Sequence, residues 1–272
     1  MTAGEPSESR LRQQLAAVYS DPHDLERAIA GLKSLGLTAQ SAASVNGADV
    51  DLLRRDRCGF PEVVFGPGKP PELIVEIFRQ QRAAEHDSLA TRVNQEQADA
   101  VLAAFPDAVH SRLASTLRLC SDPNPREIPG PVIVVTAGSS DRPIAEEAME
   151  TLRWMKVRCQ LIEDAGVAGP HRFPQHLPTL RQATVIVCVA GMEAALPAVL
   201  GGFVACPVIG VPTSVGYGAS MQGLTALLSM LTCCASNVLC VNIDAGFRGG
   251  YAAGLIAAST VRTSPQIPHP PA

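Results

Sequence analysis

The chain has 272 residues, 46% of them hydrophobic and 18% charged, which suits a protein with a real buried core and excludes a disordered or low-complexity one. Lysine and arginine number 22 against 26 aspartates and glutamates, for a net charge of −4, and aromatics make up 4%. That balance provides neither a basic surface for a nucleic-acid backbone nor a stacking platform for bases, so nucleic acid is disfavoured as the main ligand.

Residues 1–10 are expected to be disordered, and the segment MTAGEPSESRLRQQLAAVYS lacks the apolar core of a secretory signal. A first part spans 11–121. In it, LRQQLAAVYS and ELIVEIFRQQRAAEH place apolar residues at helical spacing, and GFPEVVFGPGKPP between them reads as a short β-type run ending in a Gly/Pro turn at Lys69. This makes a smaller, mostly helical α+β domain. The Pro-rich stretch SDPNPREIPGP marks a boundary, with 122–130 as linker.

The second part, 131–261, is more regular. PVIVVTAG, VRCQLIED, ATVIVCVAG, CPVIGVPT and VLCVNIDAG are short Val- and Ile-rich runs, each suited to a strand covered on both faces. Helices are expected at IAEEAMETLRWMK, around HRFPQHLPTLRQ, at MEAALPAVLGGF, at GASMQGLTALLSMLTCCAS and at GGYAAGLIAAST. The alternation predicts an α/β fold, a doubly wound five-stranded parallel sheet. Residues 262–272 read as a disordered tail.

Two features invite misreading. From Ala194 to Ile243 no residue is charged, yet prolines and glycines break the stretch well short of the about 20 apolar residues of a spanning helix. Its helix is instead expected to be buried on every side, as happens when subunits pack together, so a homo-oligomer is expected and a membrane protein is not. The eight cysteines show no CxxC spacing, and several lie in apolar runs. They read as free thiols of a cytoplasmic protein, without a structural zinc site.

In a doubly wound domain, ligands bind beyond the carboxyl ends of the strands. Gly138, Ser139, Ser140 and Asp141 after the first strand suit either a phosphate-binding loop or an ordinary turn with a helix cap. Gly216, Tyr217 and Gly218 allow the same two readings. His171 and Arg172 pair a proton carrier with an anion-binding guanidinium, or form a solvated loop. Glu193, beside Gly191 at a strand end, is an acid/base candidate or a charge complementing a helix dipole. Cys233 and Cys234 are structural thiols or, with an activating group from elsewhere in the fold, nucleophiles. Lys69 follows GPG and is an anion contact or an exposed turn lysine; GxxxxGK[ST] is absent.

The order TAGSSD, GPHR, VAGMEAALP, VIGVPTS resembles the PurE superfamily of aminoimidazole ribonucleotide carboxylases and mutases. Within it, GFPEVVFGPGK, GVAGPHR, VAGMEAALPAVLGG, VPTSVGYGASMQGLTALLSML, CCAS and NIDAGF are similar to the LarB branch, from about Leu52 to Ala258. The resemblance implies a PurE-like, flavodoxin-like three-layer catalytic domain in an octamer. It also implies an enzyme that carboxylates the pyridinium ring of nicotinic acid adenine dinucleotide with CO2 and releases AMP, leaving pyridinium-3,5-biscarboxylic acid mononucleotide. In that picture Cys234 adds covalently to the ring, Glu193 and His171 carry protons, and Lys69, Ser139, Ser140, Asp141, Arg172, Asp244 and the Gly138, Gly191 and Gly216–Gly218 loops hold substrate. No tightly bound cofactor is expected, and no carboxylate cluster marks a magnesium site. The chain departs from the branch pattern at Pro70, Cys233, Ala245 and Arg248, where Thr, Ser, Asn and Gly are usual. The competing expectations are a PurE-type ribotide carboxylase or mutase of purine synthesis, run by His171, and a non-catalytic nucleotide-binding protein.

Overall fold

A computed structural model describes residues 12, 15–19, 21–34, 42–45, 48–122 and 127–262. They form two compact units: the described residues up to Val109 with Leu119–Ser121, and His110–Arg118 with the described residues from Asp122 on. Residues 1–10, most of the expected helix over 11–20, and the tail beyond Arg262 lie outside the described residues.

In the first unit, α1 (Pro22–Ser34) starts where the Asp21 carboxylate accepts the His23 N–H. An antiparallel hairpin of β1 (Ala42–Val45) and β2 (Ala48–Asp51) follows, then a short α2 (Arg54–Cys58). Next comes a β-α-β-α run: β3 (Val64–Phe65), α3 (Pro71–Ala83), β4 (Ser88–Thr91) and α4 (Gln95–Ala104), with β3 and β4 parallel. Pro71 opens α3 where its missing N–H costs nothing, and Ile74, Ile77, Phe78 and Gln81 share its buried stripe. Asn94 and Gln97 cap α4 reciprocally. The unit thus carries more sheet than its sequence suggested. The strands β5 (Val109–Ser111) and β6 (Thr116–Leu119) follow along the chain.

The second unit is the doubly wound domain. Its strands are β7 (Ile128–Thr136), β8 (Val157–Ile162), β9 (Val185–Ala190), β10 (Val208–Pro212) and β11 (Val238–Cys240), all parallel, in the order β11-β10-β9-β7-β8. Every residue of β9 and β10 is buried, as continuous apolar runs require of central strands. One face is covered by α5 (Arg142–Trp154) and α9 (Gly246–Arg262), the other by α6 (Leu177–Leu180), α7 (Ala195–Gly201) and α8 (Leu224–Leu231). On the second face, Phe173, Leu180, Leu196 and Leu200 pack against Ile133, Val135, Ile186 and Cys188. On the first, α9 approaches α5 so closely that a Cβ at Gly250 would lie 2.6 Å from the Ala148 carbonyl oxygen.

Two elements differ from expectation. Pro174 and Pro178 cut the segment around HRFPQHLPTLRQ into a 3-10 turn (Pro174–His176) and the single turn α6. The long helix expected over 218–236 is a 3-10 turn (Gly218–Gly223) followed by α8, because Met221, Gln222 and Gly223 take left-handed backbone between them. The helix ends at Leu231, so Cys233 and Cys234 lie in the loop before β11 rather than on its tail. Among the described residues no helix is long and apolar enough to cross a membrane.

Candidate active site

With strand order 2-1-3-4-5 counted from β7, the chain winds one way from β7 to β8 and then reverses, so β7 and β9 flank the switch point. There the loops after β7, β8 and β9, joined by Val215 after β10, enclose a cleft of about 250 Å³. Backbone bonds brace it: Ala165 and Gly166 donate to the Thr136 and Ala137 carbonyls, and Met192 donates to that of Val215. Strain gathers at the same edge, where Asp164, Met192, Ala194, Met221, Gln222 and Asp244 hold left-handed backbone without being glycine.

Asp141 is the central buried group, only 3% exposed. One carboxylate oxygen accepts the Gly138 N–H at 2.9 Å and the other the Thr213 hydroxyl at 2.7 Å. Burial raises its pKa above the ordinary aspartate value, and nearby Asp244 pushes the same way; the hydrogen bonds from Thr213, Gly138 and Gly191 oppose the rise. Asp141 therefore stitches together the loops after β7, β9 and β10. Gly191 is glycine for a steric reason: a Cβ there would meet the Val215 carbonyl oxygen at 2.5 Å and the Thr213 hydroxyl at 2.6 Å. On the β11 side, Asp244 accepts the Ser214 N–H at 2.8 Å.

Glu193 is exposed and lines the cleft, held between the left-handed Met192 and Ala194. Arg172 also lines it, and its guanidinium donates to Asp164 at 2.9 Å. Asp141, Asp164 and Glu193 thus face a single guanidinium in the cleft wall. Ser140 and Gly138 line the cleft, whereas Ser139 and His171 are exposed and stand outside its lining. Gly216, Tyr217 and Gly218 are exposed beyond Val215, with Tyr217 80% accessible.

Lys69 belongs to the first unit. Its N–H donates to the Gly66 carbonyl at 3.0 Å, and the buried Gln97 amide donates to the carbonyls of Gly66 and Lys69 at 2.8 and 2.7 Å. This fixes the turn while the lysine side chain stays half-buried.

Cys234 is in a different place altogether. It is exposed, four residues ahead of β11, whose first residue pairs with the first residue of β10. Its loop is tied to the amino edge of the sheet, since Asn237 donates to the Val204 and Cys206 carbonyls. The five residues of β10 separate that edge from the cleft by about 16 Å. Within one chain Glu193 and Cys234 are therefore not brought together. The other thiols divide by depth: burial pushes Cys159 and Cys240 up to about 11 and raises Cys188 and Cys206 as well.

Thr213 and Asp164 are site residues that the sequence reading missed. Each directly follows a strand run, VIGVPT and VRCQLIED, and that position is the signal that could have found them. The left-handed Met192 and Ala194 left no signal, because neither residue type favours that backbone.

The fold defines a doubly wound α/β domain with a cleft at its switch point, the place where such folds take their ligands. A model of the AIR carboxylase family matches residues 131–267, and one of the LarB/PurE-like N-terminal domain matches residues 42–121. An uncharacterised protein of Methanocaldococcus jannaschii is 38% identical over 76% of this chain and 83% of its own length. The N5-carboxyaminoimidazole ribonucleotide mutase of the same organism is 33% identical over 36% of this chain and 59% of its own. PurE of Treponema denticola, a crystal structure, superposes with a TM-score of 0.37 at 17% identity, over 49% of this chain and 90% of that one. The chain belongs to the AIR carboxylase family, in the branch that carries a LarB-type N-terminal domain, and is an enzyme of the carboxylase or mutase type.

Proposed function

We propose that this enzyme is a pyridinium-3,5-biscarboxylic acid mononucleotide synthase of the LarB type, acting on nicotinic acid adenine dinucleotide and CO2. The observation that carries the reading is the tandem of a LarB-type domain and an AIR carboxylase domain along one chain, where the curated mutase matches only part of it.

The chemistry needs a nucleophile, because an electron-poor pyridinium cannot attack CO2. The Cys234 thiolate adds to a ring carbon conjugated with the ring nitrogen, and the electron pair displaced from the ring makes the remaining open 3,5-type carbon nucleophilic. That carbon bonds to CO2, a base removes its ring proton, and Cys234 leaves with its electron pair as aromaticity returns. Glu193, at the cleft wall and open to solvent, is the base of choice; His171 stands outside the lining. Water then attacks the phosphoanhydride, giving AMP and the mononucleotide. Arg172 is the cleft's own anion contact. Asp141 positions the loops; both its oxygens are already engaged.

Because Cys234 sits at the opposite sheet edge from Glu193, the working site takes the thiol from a second copy. Supporting this, Leu224, Leu228 and Leu231 stand exposed along one side of α8, while Ala226 and Met230 are buried on the other. A helix apolar all round is completed by another subunit.

The test is intact-protein mass spectrometry after incubation with nicotinic acid adenine dinucleotide and bicarbonate, with AMP measured in the same tube. An adduct on the Cys233–Cys234 segment with AMP and a doubly carboxylated product is the expected result. Turnover of aminoimidazole ribotide instead, which the match to the mutases favours as the second reading, would overturn it. Mixing Cys234→Ser with Glu193→Gln chains should restore activity neither has alone if the site is shared between copies.

A further inference from the structure

We propose that Cys233 and Cys234 form a reversible oxidation site, in which Cys233 traps peroxide-oxidised Cys234 as a disulfide between adjacent residues. Both are free thiols, Cys234 exposed and Cys233 half-buried. They lie just past the end of α8 at Leu231, outside its helical ladder, in the loop that runs to β11 at Val238. The Ala235 N–H donates to the Cys233 sulfur at 3.4 Å. The other thiols of the second unit are withdrawn: Cys240 donates to the Val241 carbonyl and lies against the Met230 sulfur, and burial raises it, Cys159, Cys188 and Cys206 alike. Covalent adjacency leaves Cys233 as the thiol with the highest effective concentration at Cys234.

The steps balance. The Cys234 thiolate attacks hydrogen peroxide, breaking the O–O bond and taking one oxygen with its proton as sulfenic acid, while hydroxide leaves and is protonated to water. The Cys233 thiol then displaces that oxygen as a second water, forming the S–S bond. Two molecules of a small thiol reverse it, one through a mixed disulfide. Adjacent Cα atoms are about 3.8 Å apart, below the usual span of about 4.4 Å or more, so the bond is strained and easily reduced. Strain of that kind suits a reversible guard and not a structural staple. The consequence for catalysis rests on Cys234 being the nucleophile; the oxidation chemistry does not.

The experiment treats the full chain with graded hydrogen peroxide, blocks remaining thiols with iodoacetamide, and maps the peptide holding both cysteines. The expected product is lighter by about 2 Da, carries no alkyl group on either residue, and reverts with dithiothreitol. In Cys233→Ser, Cys234 should instead advance to sulfinic acid at least about tenfold faster than in the wild type. Equal rates of sulfinic acid formation in both proteins would overturn the proposal, as would a disulfide joining Cys234 to any other thiol or to another copy. If the adjacent disulfide forms in a protein that does not turn over the dinucleotide, the catalytic reading fails and the oxidation site stands.

Discussion

The two edges of the five-stranded sheet both carry reactive groups, and they are built in opposite ways. At the carboxyl edge the loops are short and cross-braced: Asp141 bonds to Gly138 and Thr213, Asp244 holds Ser214, and Arg172 pairs with Asp164. Non-glycine residues in left-handed backbone cluster there, with Lys156 as the counterpart at the amino edge. At the amino edge, the Cys233–Cys234 segment is held mainly through Asn237, which follows it, and presents its thiol to solvent. One edge is fixed by bonds between loops and the other presents an exposed thiol, and a single chain keeps the two apart. Under the proposed function that chain holds an incomplete site.

The comparison breaks first at Cys234. Cys234→Ser should lower product formation by at least about a thousandfold, some 4 kcal/mol of barrier, while thermal unfolding stays unchanged because the residue is exposed. A variant that retained activity would shift the nucleophile elsewhere. At the braced edge's support, Gly250→Ala drives a methyl into the Ala148 carbonyl and should cost about 3 kcal/mol in denaturant unfolding. Glu193→Gln should reduce turnover about a hundredfold, roughly 2.7 kcal/mol, with an unaltered melting temperature, since the side chain is exposed and makes no core contact.

Asp141→Asn sharpens the contrast through pH. Burial raises the Asp141 pKa, so ionising it in the folded protein costs stability. That cost is absent below the unfolded aspartate value and complete above the raised folded one. Relative to the Asn variant, the wild type should therefore gain stability as pH falls through this window, as read by urea unfolding at several pH values. The opposite slope would show that the Thr213 and Gly138 bonds outweigh burial. The smallest effect is kinetic: iodoacetamide should label Cys58 and Cys234 well before Cys159 and Cys240, which are pushed up to about 11, with the fully buried Cys188 last.

Much of the second unit was legible along the chain. The runs VIVCVA and VIGVP are continuous apolar segments of strand length, and β9 and β10 are buried along their whole length. Gly191, Glu193, Arg172 and Asp141 could be singled out because they lie in loops that leave the carboxyl ends of strands, and all four line the cleft. His171 and Ser139 shared that sequence position yet fall outside the cleft lining, since one residue along a loop turns a side chain away. In the first unit, the strand SLAT went unrecognised: it is four residues long, without alternation or β-branched enrichment, and becomes a strand through its pairing, with β3 parallel beside it.

Local chemistry in the sequence was enough to specify a parallel α/β domain and an ordered set of Gly-, Ser- and Asp-bearing loops at strand ends. Periodicity and turn residues act over a few positions, and those properties depend on nothing longer. The tertiary structure alone decided that Asp141 faces Thr213, 72 positions away, and that Arg172 is spoken for by Asp164. It also decided that Cys234 lies across the sheet from Glu193. Helix length and strand direction convert sequence order into opposite edges, and no motif carries that sign until the chain has folded.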